Sequence, residues 1–142
     1  MIHSVFGTKL SRDTNQRQAL LKGLVGALIR SKAIETTEAK AKAVQGLVEV
    51  LITKAIRGTM NDLRAIEEVV ADKELVDKLA HEIAPRIKSK SGGYTRLIKK
   101  GFRIGDNAPM VRMELIMNDV VVAPVAKTSA VKAPTKKVAK KK

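Results

Sequence analysis

Apolar residues recur at helical spacing in two long segments of the chain. The first segment, at about Thr14 to Ser31, is predicted to be a helix because one face of it is apolar. Asp13 is its candidate N-cap, and Gln16 follows at the spacing of a capping box. A second helix is predicted from Thr37 to Gly58 by the same apolar spacing. Its end is placed at Gly58 because a glycine can close a helix in the left-handed conformation at little cost. The apolar residues on the face of the first helix are Leu20, Leu21, Leu24, Val25, Leu28 and Ile29.

Two shorter helices are predicted in the middle of the chain. One covers about Asn61 to Val70. The other begins after Asp72, and we expect Pro85 to end it because proline lacks an N–H and clashes with the preceding turn.

Three segments carry strand patterns, namely Ala33 to Thr37, Tyr94 to Lys100 and Met110 to Ile116. The third alternates most clearly, with apolar residues at positions 111, 113 and 115 and charged residues between them. Together these elements predict an α/β (α+β) domain in which about four helices pack on a small three-stranded mixed sheet.

The chain of 142 residues has the length of one ordinary domain with extensions. We expect a basic N-terminal arm over residues 1–13, a single domain over residues 14–118, and a disordered tail rich in Lys, Ala and Pro over residues 119–142. The chain has no cysteine, which suits a reducing compartment such as the cytoplasm. Neither a signal-peptide pattern nor an apolar run of membrane-spanning length is visible, so no membrane partner is expected.

The formal net charge of +14 is unevenly distributed. Residues 33–85 carry seven cations and ten acids, whereas residues 86–112 carry eight cations and one acid. Residues 127–142 add seven lysines and no acid. Such a distribution predicts a cationic face whose partner is a polyanion, namely RNA, DNA or an anionic membrane.

The most basic part of the folded region surrounds two glycines. Seven cations lie between Arg86 and Arg103, and Gly92 and Gly93 fall among them. Glycine permits a positive φ and lets backbone N–H groups approach a phosphate. Alternation along the following strand would place positions 94, 96, 98 and 100 on one face, which we interpret as a surface for phosphate and sugar. With three aromatic residues in the chain, recognition by charge and RNA shape is favoured over extensive base stacking.

Residues for catalysis or metal binding are scarce. His3 and His81 are the two histidines, and neither belongs to a metal-ligand motif. We therefore expect no enzyme activity, no cofactor, no metal and no small-molecule substrate. Before any resemblance is considered, a nucleoid-type DNA architectural protein remains an alternative to an RNA-binding protein, because lysine-rich tails occur in both.

The segment "SGGYTRLIKKGFRIGDNAPMVRMEL" resembles the C-terminal signature of the bacterial large-subunit ribosomal protein family numbered seventeen. The first half, "KLSRDTNQRQALLKGLVGALIRSKAIETTEAKAKAVQGLVEVLIT", resembles this family too, so that the similarity covers roughly residues 8–117. The basic N-terminal arm typical of the family is reduced here, since Ile2, Ser4 and Val5 stand where cations are expected.

The resemblance implies a structural role in the large ribosomal subunit. The implied partners are large-subunit (23S) ribosomal RNA and neighbouring large-subunit ribosomal proteins near the peptide exit tunnel, and the implied location is the ribosome in the cytoplasm. The charge pattern and the resemblance together give these candidate RNA-binding residues: Lys9, Arg12, Arg17, Arg86, Lys88, Lys90, Gly92, Gly93, Tyr94, Arg96, Lys99, Lys100 and Arg103.

Overall fold

The computed structural model describes residues 8–87 and 91–117. Its helices and strands follow the predicted order, and the predicted α+β class is confirmed. The predicted tail and most of the predicted N-terminal arm lie outside the described residues. The elements are α1 (Thr14–Ser31), β1 (Ala33–Thr37), α2 (Glu38–Arg57), α3 (Met60–Val69), α4 (Lys73–Asp77), a π-helical segment (Lys78–Ile83), α5 (Ala84–Ile87), β2 (Thr95–Phe102) and β3 (Pro109–Leu115).

The three strands form one sheet in the order β1-β3-β2. Both pairings are antiparallel, so the predicted mixed sheet is corrected to an antiparallel one. The short connection between β2 and β3 explains one pairing, because only antiparallel neighbours can be joined by a tight hairpin. The strands β1 and β2 do run in the same direction, but β3 separates them.

The core lies between the helices and one face of this sheet. The predicted alternation in β3 is confirmed, since Val111, Met113 and Leu115 are buried while Arg112 is exposed. Helix α2 contacts all three strands and also packs against α1 and α3. The largest fully buried side chains are Leu28, Ile52, Ile66, Leu79, Ile83, Ile87 and Met113.

The ends of α1 and α2 confirm the predicted C-cap at Gly58 but not the predicted capping box at Asp13. Gly58 closes α2 in the left-handed conformation, with φ of 66°, and Thr37 occupies the N-cap position of the same helix. Asp13 occupies the N-cap position of α1, but its side chain makes no capping hydrogen bond, so the expected capping box is not formed. A cap that was not predicted occurs at α3, where the Thr59 hydroxyl accepts a hydrogen bond from the Asp62 N–H at 3.2 Å.

The fourth predicted helix continues past Pro85, contrary to expectation. Helical structure extends without a break from α4 through the π-helical segment and α5 to Ile87. The wider π-helical turn directly before the proline shifts the carbonyl groups with which its ring would clash. Pro85 itself is exposed, and Ile83 and Ile87 on either side of it are buried in the core.

None of the helices in the described part of the chain is long and apolar enough to cross a membrane.

Candidate nucleic-acid interface

The outer face of the sheet, on the side away from the helices, carries part of the predicted basic surface. Arg96, Ile98 and Lys100 of β2 are all exposed on it, as the alternation predicts. The pairing register places Arg96 opposite Glu114 and Ile98 opposite Arg112 of β3. This face therefore alternates in charge.

Tyr94 does not belong to this face, which corrects the predicted surface. Its side chain is 3% exposed and lies in the hydrophobic core. Strand β2 begins only at Thr95, which is also buried, so the alternation of the strand does not extend back to position 94. A ring buried in this way cannot stack on a base, and the role of Tyr94 in the described fold is to fill the core.

Two of the predicted RNA-binding cations on the outer face are paired with carboxylates. The Arg96 guanidinium lies 3.7 Å from Glu114, and Lys100 Nζ lies 2.7 Å from Glu35 Oε1. The Lys100 ammonium, which is hydrogen-bonded to Glu35, lowers the pKa of that carboxyl below its ordinary value. Exposed pairs of this kind contribute little to stability because solvent screens them, so either cation can be transferred to a phosphate at small cost. RNA contact by Arg96 and Lys100 stays a prediction.

Arg103 is held by the loop that joins β2 to β3. Its guanidinium donates two hydrogen bonds to Asp106, from Nε at 3.0 Å and from a terminal nitrogen at 2.6 Å. Arg103, with the Ala108 N–H, lowers the pKa of Asp106 to about 2, so this carboxylate is ionised at neutral pH. Lys99, in contrast, is exposed and has no ion pair within the described part of the chain.

Arg86 lies at the end of the helical region rather than on the sheet. It is half-buried and 4.0 Å from Glu82, whose Oε1 also accepts a hydrogen bond from Lys32 Nζ at 2.6 Å. Lys88 and Lys90 fall outside the described residues, so their predicted contacts are not placed.

A second group of predicted cations lies before and within the first turn of α1. Lys9 and Arg12 are exposed, and Arg12 donates a hydrogen bond to the Leu10 carbonyl at 3.1 Å. Arg17 is half-buried, and its Nε is without a hydrogen-bond partner in the described structure. Within residues 8–87 and 91–117 none of these three side chains is paired with a carboxylate. Their charge is therefore available to an external anion.

The two glycines form an exposed turn. Gly93 has φ of +65°, so of the two expectations for this glycine, a positive φ or a close backbone approach, the first is confirmed. An added Cβ would meet nothing within 4 Å at Gly92 or at Gly93, so neither glycine is required by close packing against the described residues. The space beside the turn is open to a ligand.

The turn borders an open groove with a volume of about 390 Å³. Ser91 and Gly92 line one side, and Lys54 and Arg57 of α2 line the other. Neither of these two cations is paired with a carboxylate in the described part of the chain. The carboxylate of Glu49 also lines the groove, where it accepts a hydrogen bond from the Thr95 hydroxyl at 3.4 Å. A hydroxyl group, a glycine backbone and two unpaired cations beside it form an arrangement that suits a phosphate or a ribose. We call these lining residues the glycine groove.

Lys54 and Arg57 were not among the predicted site residues. Their spacing places them on neighbouring positions of one helix face, just before the C-cap Gly58. That spacing was visible in the sequence, but it could not show which loop lies opposite. The loop is fixed by tertiary contacts, because the buried Thr95 hydroxyl is hydrogen-bonded to Gln45 at 3.3 Å and to Glu49 at 3.4 Å on α2.

Comparison with known proteins decides the family of the chain. A model of the family described as Ribosomal protein L17 matches residues 20–116. The chain belongs to the ribosomal protein L17 family. The match runs from α1 through β3, so it includes the glycine groove and the β2–β3 hairpin. The predicted cations at positions 9, 12 and 17 lie before it.

Curated members of the ribosomal protein L17 family are similar to the chain over most of its length. The large ribosomal subunit protein bL17 of Thermodesulfovibrio yellowstonii is 47% identical over 116 residues, which cover 82% of this chain and 87% of the relative. The protein of the same name from Symbiobacterium thermophilum is 48% identical over 108 residues, covering 76% of this chain and 96% of the relative. That of Gemmatimonas aurantiaca is 47% identical over 118 residues, covering 83% of this chain and 100% of the relative.

The alignments therefore cover 87% to 100% of the length of these three members of the ribosomal protein L17 family. The resemblance inferred from the "GGYTR" and "GDNAPM" segments is confirmed.

Proposed function

We propose that this protein is a structural component of the large ribosomal subunit, which binds large-subunit (23S) ribosomal RNA and supports subunit assembly and translation in the cytoplasm. The observation that carries the proposal is the family membership, with relatives named as large-subunit proteins that align over 87% to 100% of their length. The net charge of +14 supports a polyanionic partner. Neighbouring large-subunit proteins near the peptide exit tunnel are the proposed protein partners.

The glycine groove is the proposed centre of the RNA contact. Lys54 and Arg57 can approach phosphates without first breaking an ion pair, whereas Arg96 and Lys100 must exchange a carboxylate for a phosphate. Neutralising a phosphate releases condensed counterions, and this release makes binding weaker as the salt concentration rises. Each of the two unpaired cations of the groove should therefore contribute to the salt dependence of binding.

Lys9, Arg12 and Arg17 form the second part of the proposed interface. They are unpaired in the described structure, and Lys9 and Arg12 belong to the N-terminal arm, in which the family's basic character is reduced. The remaining predicted contacts, at Arg86, Lys88, Lys90, Lys99 and Arg103, are retained in the proposal as weaker or supporting contributions.

A salt titration of binding to purified large-subunit RNA tests this interface. Replacing Lys54 and Arg57 together by Ala should reduce the slope of log K against log salt by about 1.4–1.8, since each lost contact removes about 0.7–0.9. Between 50 and 200 mM salt, that difference changes the ratio of affinities by roughly tenfold. The matched control replaces Arg64 and Lys73, which are exposed on α3 and α4 outside the groove.

The control variant loses the same charge and should retain the slope of the wild-type protein within about 0.3. If both double variants reduced the slope of log K against log salt equally, binding would depend on net charge alone, and the groove would be refuted as the site. The ribosomal role is tested separately by sedimentation of a cell lysate, in which the protein should travel with large subunits. Recovery mainly with DNA would instead support the nucleoid-type alternative.

A further inference from the structure

The tip of the β2–β3 hairpin exposes apolar side chains. We define the hairpin tip as residues 101–109. Within it, Phe102 is 69% exposed and Ile104 is 102% exposed. In the described part of the chain five large apolar side chains are exposed, and these two lie only two positions apart along the chain. Single exposed apolar residues are ordinary on protein surfaces, but a cluster containing an aromatic ring is typical of an interaction site.

The hairpin tip extends beyond the helical layer. Phe102 lies opposite Pro109, two residues before the buried Val111 of the same strand. Because residues two apart on a strand share a face, Phe102 lies on the face of the sheet that the helices cover elsewhere. Its exposure shows that no described helix reaches this far along the hairpin.

The tip is held in one shape by its own hydrogen bonds. The Arg103 N–H donates to the Ala108 carbonyl at 2.9 Å, and the Asn107 N–H donates to the Arg103 carbonyl at 3.0 Å. Gly101 and Gly105 adopt φ of 111° and 105°, which side chains rarely permit. The two apolar side chains are thus presented on an ordered loop, and binding through them needs little further ordering of the backbone.

The charge of the tip does not suit a polyanion. In a protein with a net charge of +14, the tip contains one cation and one anion, and these two residues pair with each other. The Arg103 guanidinium already donates twice to the Asp106 carboxylate, and that carboxylate would repel a phosphate brought to the same place. Neutral charge, one aromatic anchor and one aliphatic neighbour are instead the chemistry of a protein–protein contact.

We propose that the hairpin tip is a protein-docking element, which inserts Phe102 and Ile104 into an apolar groove on a neighbouring protein of the large subunit. The inference rests on the proposed function, and it assigns RNA contacts and protein contacts to different surfaces according to their chemistry. The glycine groove and the N-terminal cations are the main RNA contacts, with Arg103 only a supporting one, whereas Phe102 and Ile104 of the hairpin tip bind protein.

The test measures RNA affinity and incorporation into large subunits for a double variant and for a control variant. Phe102→Ser combined with Ile104→Ser removes the apolar surface, and both side chains are exposed, so thermal unfolding should be unchanged. Affinity for naked large-subunit RNA and its salt slope should also be unchanged. In competition with the wild-type protein for incorporation into reconstituted large subunits, occupancy should fall by about tenfold or more. The matched control is Met60→Ser, on α3, whose side chain is 67% exposed.

A photo-crosslinking amino acid at position 102 provides a second measurement that does not depend on the double variant. In purified large subunits, we expect its adduct to be a protein of that subunit, sensitive to protease and identified by mass spectrometry. An adduct sensitive only to nuclease would overturn the proposal in favour of base stacking by Phe102, as would a parallel loss of affinity for naked RNA.

Unchanged incorporation of the Phe102→Ser/Ile104→Ser variant, with folding intact, would also overturn the docking role while leaving the proposed function standing. If the wild-type chain itself failed to enter large subunits, the proposed function and this inference would fall together.

Discussion

The left-handed conformation of Gly93 makes a prediction that two matched substitutions can test. Gly92→Ala and Gly93→Ala each add one methyl group to the same exposed turn. At both positions the new Cβ meets nothing within 4 Å, so neither substitution creates a clash. The backbone distinguishes them, because Gly93 has φ of +65° and Gly92 lies outside the left-handed region.

The magnitude follows from two opposing effects. An L-residue held in the left-handed region costs about 1–2 kcal/mol, and this cost applies at Gly93 only. Alanine also restricts the unfolded chain, which favours the folded state by about 0.4–1 kcal/mol at either position. This second effect cancels when the variants are compared, so Gly93→Ala should be less stable than Gly92→Ala by about 1–2 kcal/mol.

Thermal unfolding followed by circular dichroism measures this difference directly. At about 4 °C per kcal/mol, the two variants should melt roughly 4–8 °C apart. Gly93→Asn provides a further check, because asparagine tolerates positive φ better than alanine and should recover part of the loss. Equal melting temperatures for the two alanine variants would refute the reasoning, since the strain at Gly93 would then be absent in solution.

Three further predictions concern the core, the hairpin tip and a helix cap. Met113→Ala should destabilise the protein by about 2–5 kcal/mol in urea unfolding, because this side chain is 0% exposed on the central strand, and a loss below 1 kcal/mol would contradict its place in the core. The carboxyl of Asp106 should titrate near its pKa of about 2 by NMR, so its contribution is present above pH 3.8 and is lost as the pH falls through 2. Arg103→Gln should move that midpoint back towards 3.8, and an unmoved midpoint would show that the ion pair is absent. Thr59→Ala should lower the free energy of unfolding by about 1 kcal/mol through loss of the hydrogen bond from the Asp62 N–H. Thr59→Ser should be nearly neutral, and urea unfolding measures both variants.

Hairpin topology and strand direction show where local patterns stop being informative. The three strand segments were visible as alternating residues, yet their pairing was predicted as mixed and is antiparallel. Alternation has a period of two residues and carries no information about the direction of a neighbouring strand. The position of β3 between β1 and β2 depends on contacts between residues distant in sequence, such as Thr36 with Val111.

The candidate interface divides in the same way. The cations were visible in the sequence. The pairing of Lys100 with Glu35, 65 positions away, and the pairing of Arg103 within its own loop were not. Nor could the sequence show that Tyr94 is buried while the groove beside it is lined by Lys54 and Arg57. Which charges are free is a property of the assembled surface.

By itself, the sequence determined the features of this protein that depend on neighbouring residues. The bounds of α1 and α2, the buried face of β3 and the positive φ at Gly93 were all predicted, because helical spacing, strand alternation and the freedom of glycine are set locally. Only the tertiary structure decided the sheet order, the continuation of a helix through Pro85 and the formation of the glycine groove. Each of these depends on which distant segments pack together. That packing depends on side-chain volume and burial, which a local sequence pattern does not specify.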